Sequence, residues 1–250
     1  MRITFLGTNG WYATKSGNTV CTLIESKNFY VVFDAGDGIH KLNRYAKKDK
    51  PIYLFLSHLH LDHIIGFHAI NKLDKLGRKK PFFIFTGKGN KKFLDLIIRS
   101  PFTVPFKKRP FPIKIVEISE GKNKSPFPFT AKKLYHADPS LGYRLEIEGK
   151  IITYCSDTGP TRNVVNLAKE SDFLIHECSA SPGVFSGKWG HTNPQETASI
   201  AKKARVKKLI LTHFSANQYL SLQDRRRAQK EARKIFKNTV FAKDDLIIKI

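Results

Sequence analysis

Two rhythms of apolar residues alternate along the chain. Short runs rich in β-branched and aromatic residues, at 3–6, 20–25, 30–33, 52–56, 82–85, 113–118, 129–134, 151–154, 173–175 and 209–212, have the length and composition of buried strands. Apolar positions at helical spacing follow several of them: Ile64, Ile65, Phe67, Ile70, Leu73 and Leu76, then Phe93, Leu94, Ile97 and Ile98 behind Asn90 as an N-cap. Asn193-Pro194-Gln195-Glu196 reads as an N-cap, a proline at N1 and an acid at N3. Residues 223–238 form a last predicted helix, with Ala228, Ala232 and Ile235 at i, i+4 and i+7 facing the body. Strands and helices alternate in both halves, which predicts an α/β architecture, and 250 residues fit a single domain over 1–250.

Residues 100–112 break the pattern. Pro101, Pro105, Pro110 and Pro112 alternate with Phe102, Phe106 and Phe111 around Lys107-Lys108-Arg109, and four prolines exclude regular structure there. A packed loop or a homodimer contact is preferred over a nucleotide-stacking platform, because no base-reading pattern accompanies it. No apolar stretch approaches the ~20 residues of a membrane-spanning helix, and the start of the chain runs straight into the turn Gly7-Thr8-Asn9-Gly10, so a cytoplasmic protein without membrane association is expected. Cys21, Cys155 and Cys178 lie far apart in apolar contexts and read as buried free thiols. Charge changes the picture more: 44 Lys and Arg against 21 Asp and Glu leave +23, a field that attracts polyanions, nucleic acid first among them. A surface merely solvated by lysine stays open as the alternative.

The chemistry concentrates in Ser57-His58-Leu59-His60-Leu61-Asp62-His63, directly after a predicted strand. His58 and His60 sit two apart and share a face if the strand runs on, while Asp62 and His63 fall where the chain turns into a helix, a spacing that suggests two metal ions. Asp34 follows the strand at 30–33 in Phe33-Asp34-Ala35-Gly36-Asp37-Gly38, and reads either as support for a ligand or as a turn residue. His136, Asp157 in Tyr154-Cys155-Ser156-Asp157-Thr158-Gly159, and His213 in Thr212-His213-Phe214-Ser215 each leave a strand end. His40 and His68 read as a surface residue and a polar residue at the core margin.

The H-x-H-x-D-H pattern resembles the metallo-β-lactamase superfamily. With Ile175-His176-Glu177-Cys178-Ser179, Trp189-Gly190-His191-Thr192-Asn193-Pro194 and Phe241-Ala242-Lys243-Asp244-Asp245-Leu246, the chain is similar to the ribonuclease Z branch, zinc-dependent endonucleases that trim the 3′ ends of precursor tRNAs. The resemblance implies an αββα sandwich of two mixed β-sheets flanked by helices. It implies two Zn(II) per chain, with Mn(II) or Fe able to take the same ligands: His58, His60 and His136 for one ion, Asp62, His63 and His213 for the other, Asp157 bridging, and Asp34 in support. Asp62, Glu177 and His191 are the implied catalytic residues, with Glu177 orienting His191 so that it hands a proton to the leaving alkoxide.

Two departures stand against the branch. Its members carry a long arm between the segments matching His136 and Asp157, where only residues 137–156 intervene here, and Gly66-Phe67-His68-Ala69-Ile70-Asn71 replaces its Gly-Leu-Pro-Gly-Leu-Leu. An arm-less phosphodiesterase acting on small or cyclic diesters therefore stays open, as does a lactam, lactone or thioester hydrolase, and a non-catalytic nucleic-acid-binding module that would explain only the charge. The predicted helix 223–238 carries Arg225, Arg226, Arg227, Lys230, Arg233, Lys234 and Lys237. Of these, Arg226, Lys230 and Arg233 are the candidates for holding RNA in place of the arm.

Overall fold

The computed structural model describes residues 1–185 and 187–250. The sequence suggests one domain; the chain clusters into two compact units, each with its own sheet and apolar core. One comprises Met1–Gly7, Asn18–Ser119 and Asp244–Ile250, the other Thr8–Gly17 and Glu120–Lys243.

In the first unit seven strands run in the order Ile247–Lys249, Arg2–Gly7, Cys21–Glu25, Tyr30–Phe33, Ile52–Phe55, Phe82–Gly87, Ile113–Ile118. The pairings are antiparallel as far as Tyr30–Phe33 and parallel beyond it. Every residue of Tyr30–Phe33 is buried, as continuous apolar runs require of strands inside a parallel sheet. Leu23, Val32, Leu54 and Ile84 pack with Ile39, Leu42, Phe67 and Leu94 in one core.

The segment after the histidine motif is a 3₁₀ helix, Ile65–Leu76, behind a single α-turn, Leu61–Ile64, rather than the expected α-helix. Its apolar residues explain this. Ile64, Phe67, Ile70, Leu73 and Leu76 recur at intervals of three, the 3₁₀ period, and the first four are buried. His68 lies outside that stripe and is exposed rather than at the core margin. The Pro- and Phe-rich segment is a loop with one short 3₁₀ turn, Phe106–Lys108. Phe111 is buried and Phe106 packs on the core, as a packed loop requires, while Phe102 is exposed.

The second unit repeats the plan with strands Thr239–Phe241, Lys208–Thr212, Phe173–Glu177, Lys150–Cys155, Leu141–Ile147, Phe129–Lys133 and Gly121–Asn123. The first four are parallel to one another and the rest antiparallel. Gly121–Asn123, polar throughout, is a strand that hydrophobic patterning misses. Leu141–Ile147 and Lys150–Cys155 are joined by Glu148 and Gly149 alone, both at positive φ (49° and 73°), the two-residue hairpin turn suited to strand twist. Within residues 137–156, where the resemblance would place an arm, the chain thus makes a two-residue turn.

Helix Pro194–Lys203 begins with the expected cap: the Asn193 side chain accepts from Glu196 N, and the Glu196 carboxylate accepts from Asn193 N, both at 3.0 Å. The basic helix spans Leu222–Arg233, shorter than expected, because the chain turns at Lys234 to enter Thr239–Phe241, and Arg233 Nε donates to Thr239 O at 2.8 Å. Ala228 and Ala232 are buried as their spacing predicts.

Arg225 corrects the reading of a uniformly exposed basic face. It is fully buried, its guanidinium donating to Thr8 Oγ1 (2.7 Å), Asn9 Oδ1 and Ala242 O (3.3 Å) and lying 4.8 Å from the Phe214 ring centroid. A charge that far from water persists only where hydrogen bonds replace hydration. Cys21, Cys155 and Cys178 are buried free thiols, as expected, and burial pushes all three upward in pKa. Among the described residues no helix is long and apolar enough to cross a membrane.

Candidate metal centre

In both units most of the candidate residues sit where parallel strands end, the carboxyl edge at which open α/β sheets usually bind ligands, while His136 follows the antiparallel strand Phe129–Lys133. In the first unit the register Phe33↔Phe55 sets Asp34 beside the start of the histidine motif, and Asp34 N extends the ladder to Phe55 O at 3.0 Å. Asp34 is fully buried with a φ of 57°, a left-handed conformation that aspartate tolerates better than most residues. Its carboxylate accepts from Ser57 N at 2.7 Å, from Ser57 Oγ at 2.9 and 3.0 Å, and from His63 Nδ1 at 2.9 Å.

Ser57 Oγ, having given its proton to Asp34, is an acceptor 3.0 Å from His58 Nδ1. One buried carboxylate thus fixes two imidazoles, directly and through a hydroxyl, so that Nε2 of each is the atom that could bind a metal. The other donors are close at hand. The His58 ring centroid lies 4.4 Å from that of His60 and 4.1 Å from that of His63, and His63 Nε2 is 3.4 Å from Asp62 Oδ2. The sequence leaves Asp34 with two readings; its carboxylate contacts Ser57 and His63, as the supporting one would require. Ser57, a link between Asp34 and His58 that motif spacing does not single out, is signalled only by its place beside His58.

The second unit brings together His136, Asp157, Glu177, His191 and His213. Asp157 is 3 % exposed, and a different histidine approaches each of its oxygens: His213 Nε2 lies 3.0 Å from Oδ1 and His136 Nε2 lies 3.9 Å from Oδ2. His136 Nδ1 is 3.2 Å from Gly190 O, which again leaves Nε2 as the donor to a metal. His213, like Asp34, closes its strand with a positive φ, 50°. Asp157, His191 and His213 present ligand atoms within 4.8 Å of one another, so an ion can be held within this unit alone.

Glu177 is the last residue of its strand rather than a residue beyond it, and it is wholly buried. Its carboxylate accepts from the amides of Thr158 (3.3 Å), Thr192 (2.7 Å) and Ser179 (2.6 Å), and Oε1 lies 3.4 Å from His191 Nδ1. The acid therefore ties the loop after Asp157 to the loop that carries His191, and it faces the imidazole as well. Neighbouring residues on a strand point to opposite faces. His176 accordingly turns away, its Nδ1 2.8 Å from Glu177 O, and burial pushes its pKa down, so it stays neutral. The donors present, imidazole nitrogens and carboxylate oxygens with their orientations fixed by hydrogen bonds, suit zinc and its divalent neighbours.

The chain matches the β-lactamase superfamily domain over residues 30–214 and belongs to that family. Two seven-stranded mixed sheets with their helices are the parts of its αββα fold. Within the family, the chain is 27% identical to the ribonuclease Z of Methanosarcina mazei, over 98% of this chain and 96% of the relative. That alignment runs over 301 residues against the 250 of this chain, so the relative carries segments absent here. Among solved structures, the metallo-β-lactamase fold protein YhfI from Bacillus subtilis superposes with a TM-score of 0.82 at 21% identity, covering 99% of both chains. The short form of human tRNase Z gives 0.77 at 23%, over 100% of this chain and 99% of the other.

Proposed function

We propose that the protein is a metal-dependent phosphodiester hydrolase, a ribonuclease Z-like endonuclease acting on RNA in the cytoplasm, with the whole chain working as one catalytic domain. The observation that carries the metal chemistry is Asp157, whose two oxygens each face a different histidine, the arrangement a bridging carboxylate needs. His58, His60 and His136 would hold one Zn(II) and Asp62, His63 and His213 the other. Bound there, such ions would supply a nucleophile at neutral pH and neutralise charge on the phosphate.

The chain's own residues do the rest. Asp34 and Ser57 hold His58 and His63 in the tautomer that presents Nε2. As the new O–P bond forms and the bond to the leaving oxygen breaks, His191, held by Glu177, delivers a proton to that oxygen. The likeness to ribonuclease Z relatives over nearly the full chain favours RNA over a small diester, and the net charge of +23 agrees with it.

With no arm, RNA is held by the exposed face of the Leu222–Arg233 helix through Arg226, Lys230 and Arg233. Replacing all three by Gln should weaken RNA binding. It should also flatten its salt dependence by about 0.7–0.9 in log–log slope for each phosphate left without its cation, with hydrolysis of bis-p-nitrophenyl phosphate little changed. Equal effects on both substrates, or none on either, remove the helix from the binding surface.

A further inference from the structure

Trp11 is 64 % exposed and Tyr12 45 %, their rings in edge contact at 5.1 Å between centroids. Leu220, 73 % exposed, is tied to the same loop through its carbonyl, which accepts from Ser16 Oγ at 2.9 Å. Large apolar side chains displayed together on so basic a chain call for a reason.

The backbone beneath them is held hard. Tyr12 N donates to Gly10 O at 3.2 Å, closing a three-residue turn with Trp11 at its apex at a φ of 76°. That is the sign of the rare, strained γ-turn, and a positive φ on so bulky a residue persists only where its surroundings impose it. Those surroundings can be named. Asn9 Nδ2 donates to Tyr12 O and to Thr14 Oγ1, both at 3.0 Å, and buried Arg225 grips Thr8 and Asn9 from the basic helix. Asn9 and Gly10 also pair as a short parallel strand with Phe214 and Ser215, which follow His213 directly. The approach is so close that a Cβ on Gly10 would stand 2.4 Å from the His213 ring. The exposed tryptophan is thus one residue from the backbone that abuts a candidate metal ligand.

We infer that Trp11 and Tyr12 form a stacking platform for unpaired bases of the RNA beside the scissile phosphodiester. The inference rests on the proposed function, whose site it extends. Aromatic faces receive any base, which suits an enzyme that must hold single-stranded RNA of varied sequence. The charge agrees: Arg226 and Arg227, exposed and next in sequence to the arginine that anchors this loop, offer cations for the flanking phosphates.

The test uses the metal-loaded full chain. With Trp189→Phe, Trp11 is the sole indole left, and a single-stranded oligoribonucleotide should quench its emission while an abasic oligomer of equal length should not. In kinetics, Trp11→Ala should lower kcat/KM for an RNA with an unpaired 3′ trailer, relative to that for bis-p-nitrophenyl phosphate, by roughly 5- to 150-fold, and Trp11→Phe should recover most of the loss. Equal quenching by both oligomers, or an unchanged ratio in Trp11→Ala, overturns the platform. So does a Trp11→Ala variant that alters only the sedimentation of the protein, since that makes the patch a contact with a second copy. If the unmodified chain cuts the diester but no RNA, the proposed function falls, and the quenching titration still decides the platform.

Discussion

Replacing Asp157 by Ala is expected to remove metal-dependent hydrolysis and to lower the metal bound per chain. The carboxylate is buried, takes a hydrogen bond from Ser156 Oγ at 3.1 Å, and sends its two oxygens toward two different histidines. As a shared ligand it would fix two ions at once, and each ion would contribute several kcal/mol of charge stabilisation to the transition state. At ~1.4 kcal/mol per factor of ten, the loss should reach the order of 10³-fold or more. Asp157→Asn, nearly the same in shape, should fail in the same way, because a bridge would need both carboxylate oxygens. Elemental analysis after gel filtration, read beside turnover, checks this. Two ions retained with activity intact would show that Asp157 does not bridge.

His191→Ala should behave differently, keeping its metals while turnover falls by roughly 10²–10⁴-fold, the usual worth of a general acid. Its Nδ1 lies 3.4 Å from Glu177 Oε1, close enough for the acid to orient the ring. Glu177 is the poorer probe of this role. Its carboxylate also holds the amides of Thr158, Ser179 and Thr192, and truncation would loosen two loops together. The rival reading comes from the geometry itself: His191 presents a ligand atom within 4.8 Å of those of Asp157 and His213. Loss of metal in His191→Ala would make it a ligand, whereas full metal with loss of the limb that falls at high pH in the pH–rate profile would make it the proton donor.

Much of the fold and site is legible in the sequence because local rules govern it. Four potential ligands in six residues after a strand, an acid after the preceding strand, and the Asn193–Glu196 cap are short-range patterns, and each stands where expected. What escapes the sequence is set by long-range contacts or by period. Arg225 reads as one more surface cation on a basic helix; only the fold brings it to Thr8 and Asn9, more than two hundred residues away in sequence. Gly10 reads as a turn glycine until Phe214 pairs with Asn9 and sets His213 against it. The 3₁₀ segment is written in the sequence as a regular interval of three, but Ile65 beside Ile64 imitates the α-helical rhythm. The polar strand Gly121–Asn123 has no hydrophobic signal and exists through its pairing with Phe129–Lys133.

On this reading the arm-less chain uses its histidine and aspartate cluster to cut RNA. The most direct test is to load the protein with Zn(II), incubate it with a precursor tRNA bearing a 3′ trailer, and map the cut, beside bis-p-nitrophenyl phosphate, a β-lactam and a thioester, each with a chelated control. The account predicts a defined, metal-dependent cut in the RNA at a kcat/KM well above that for the diester, and no turnover of lactam or thioester. Metal-dependent hydrolysis of the thioester or lactam with the precursor tRNA left intact would contradict it.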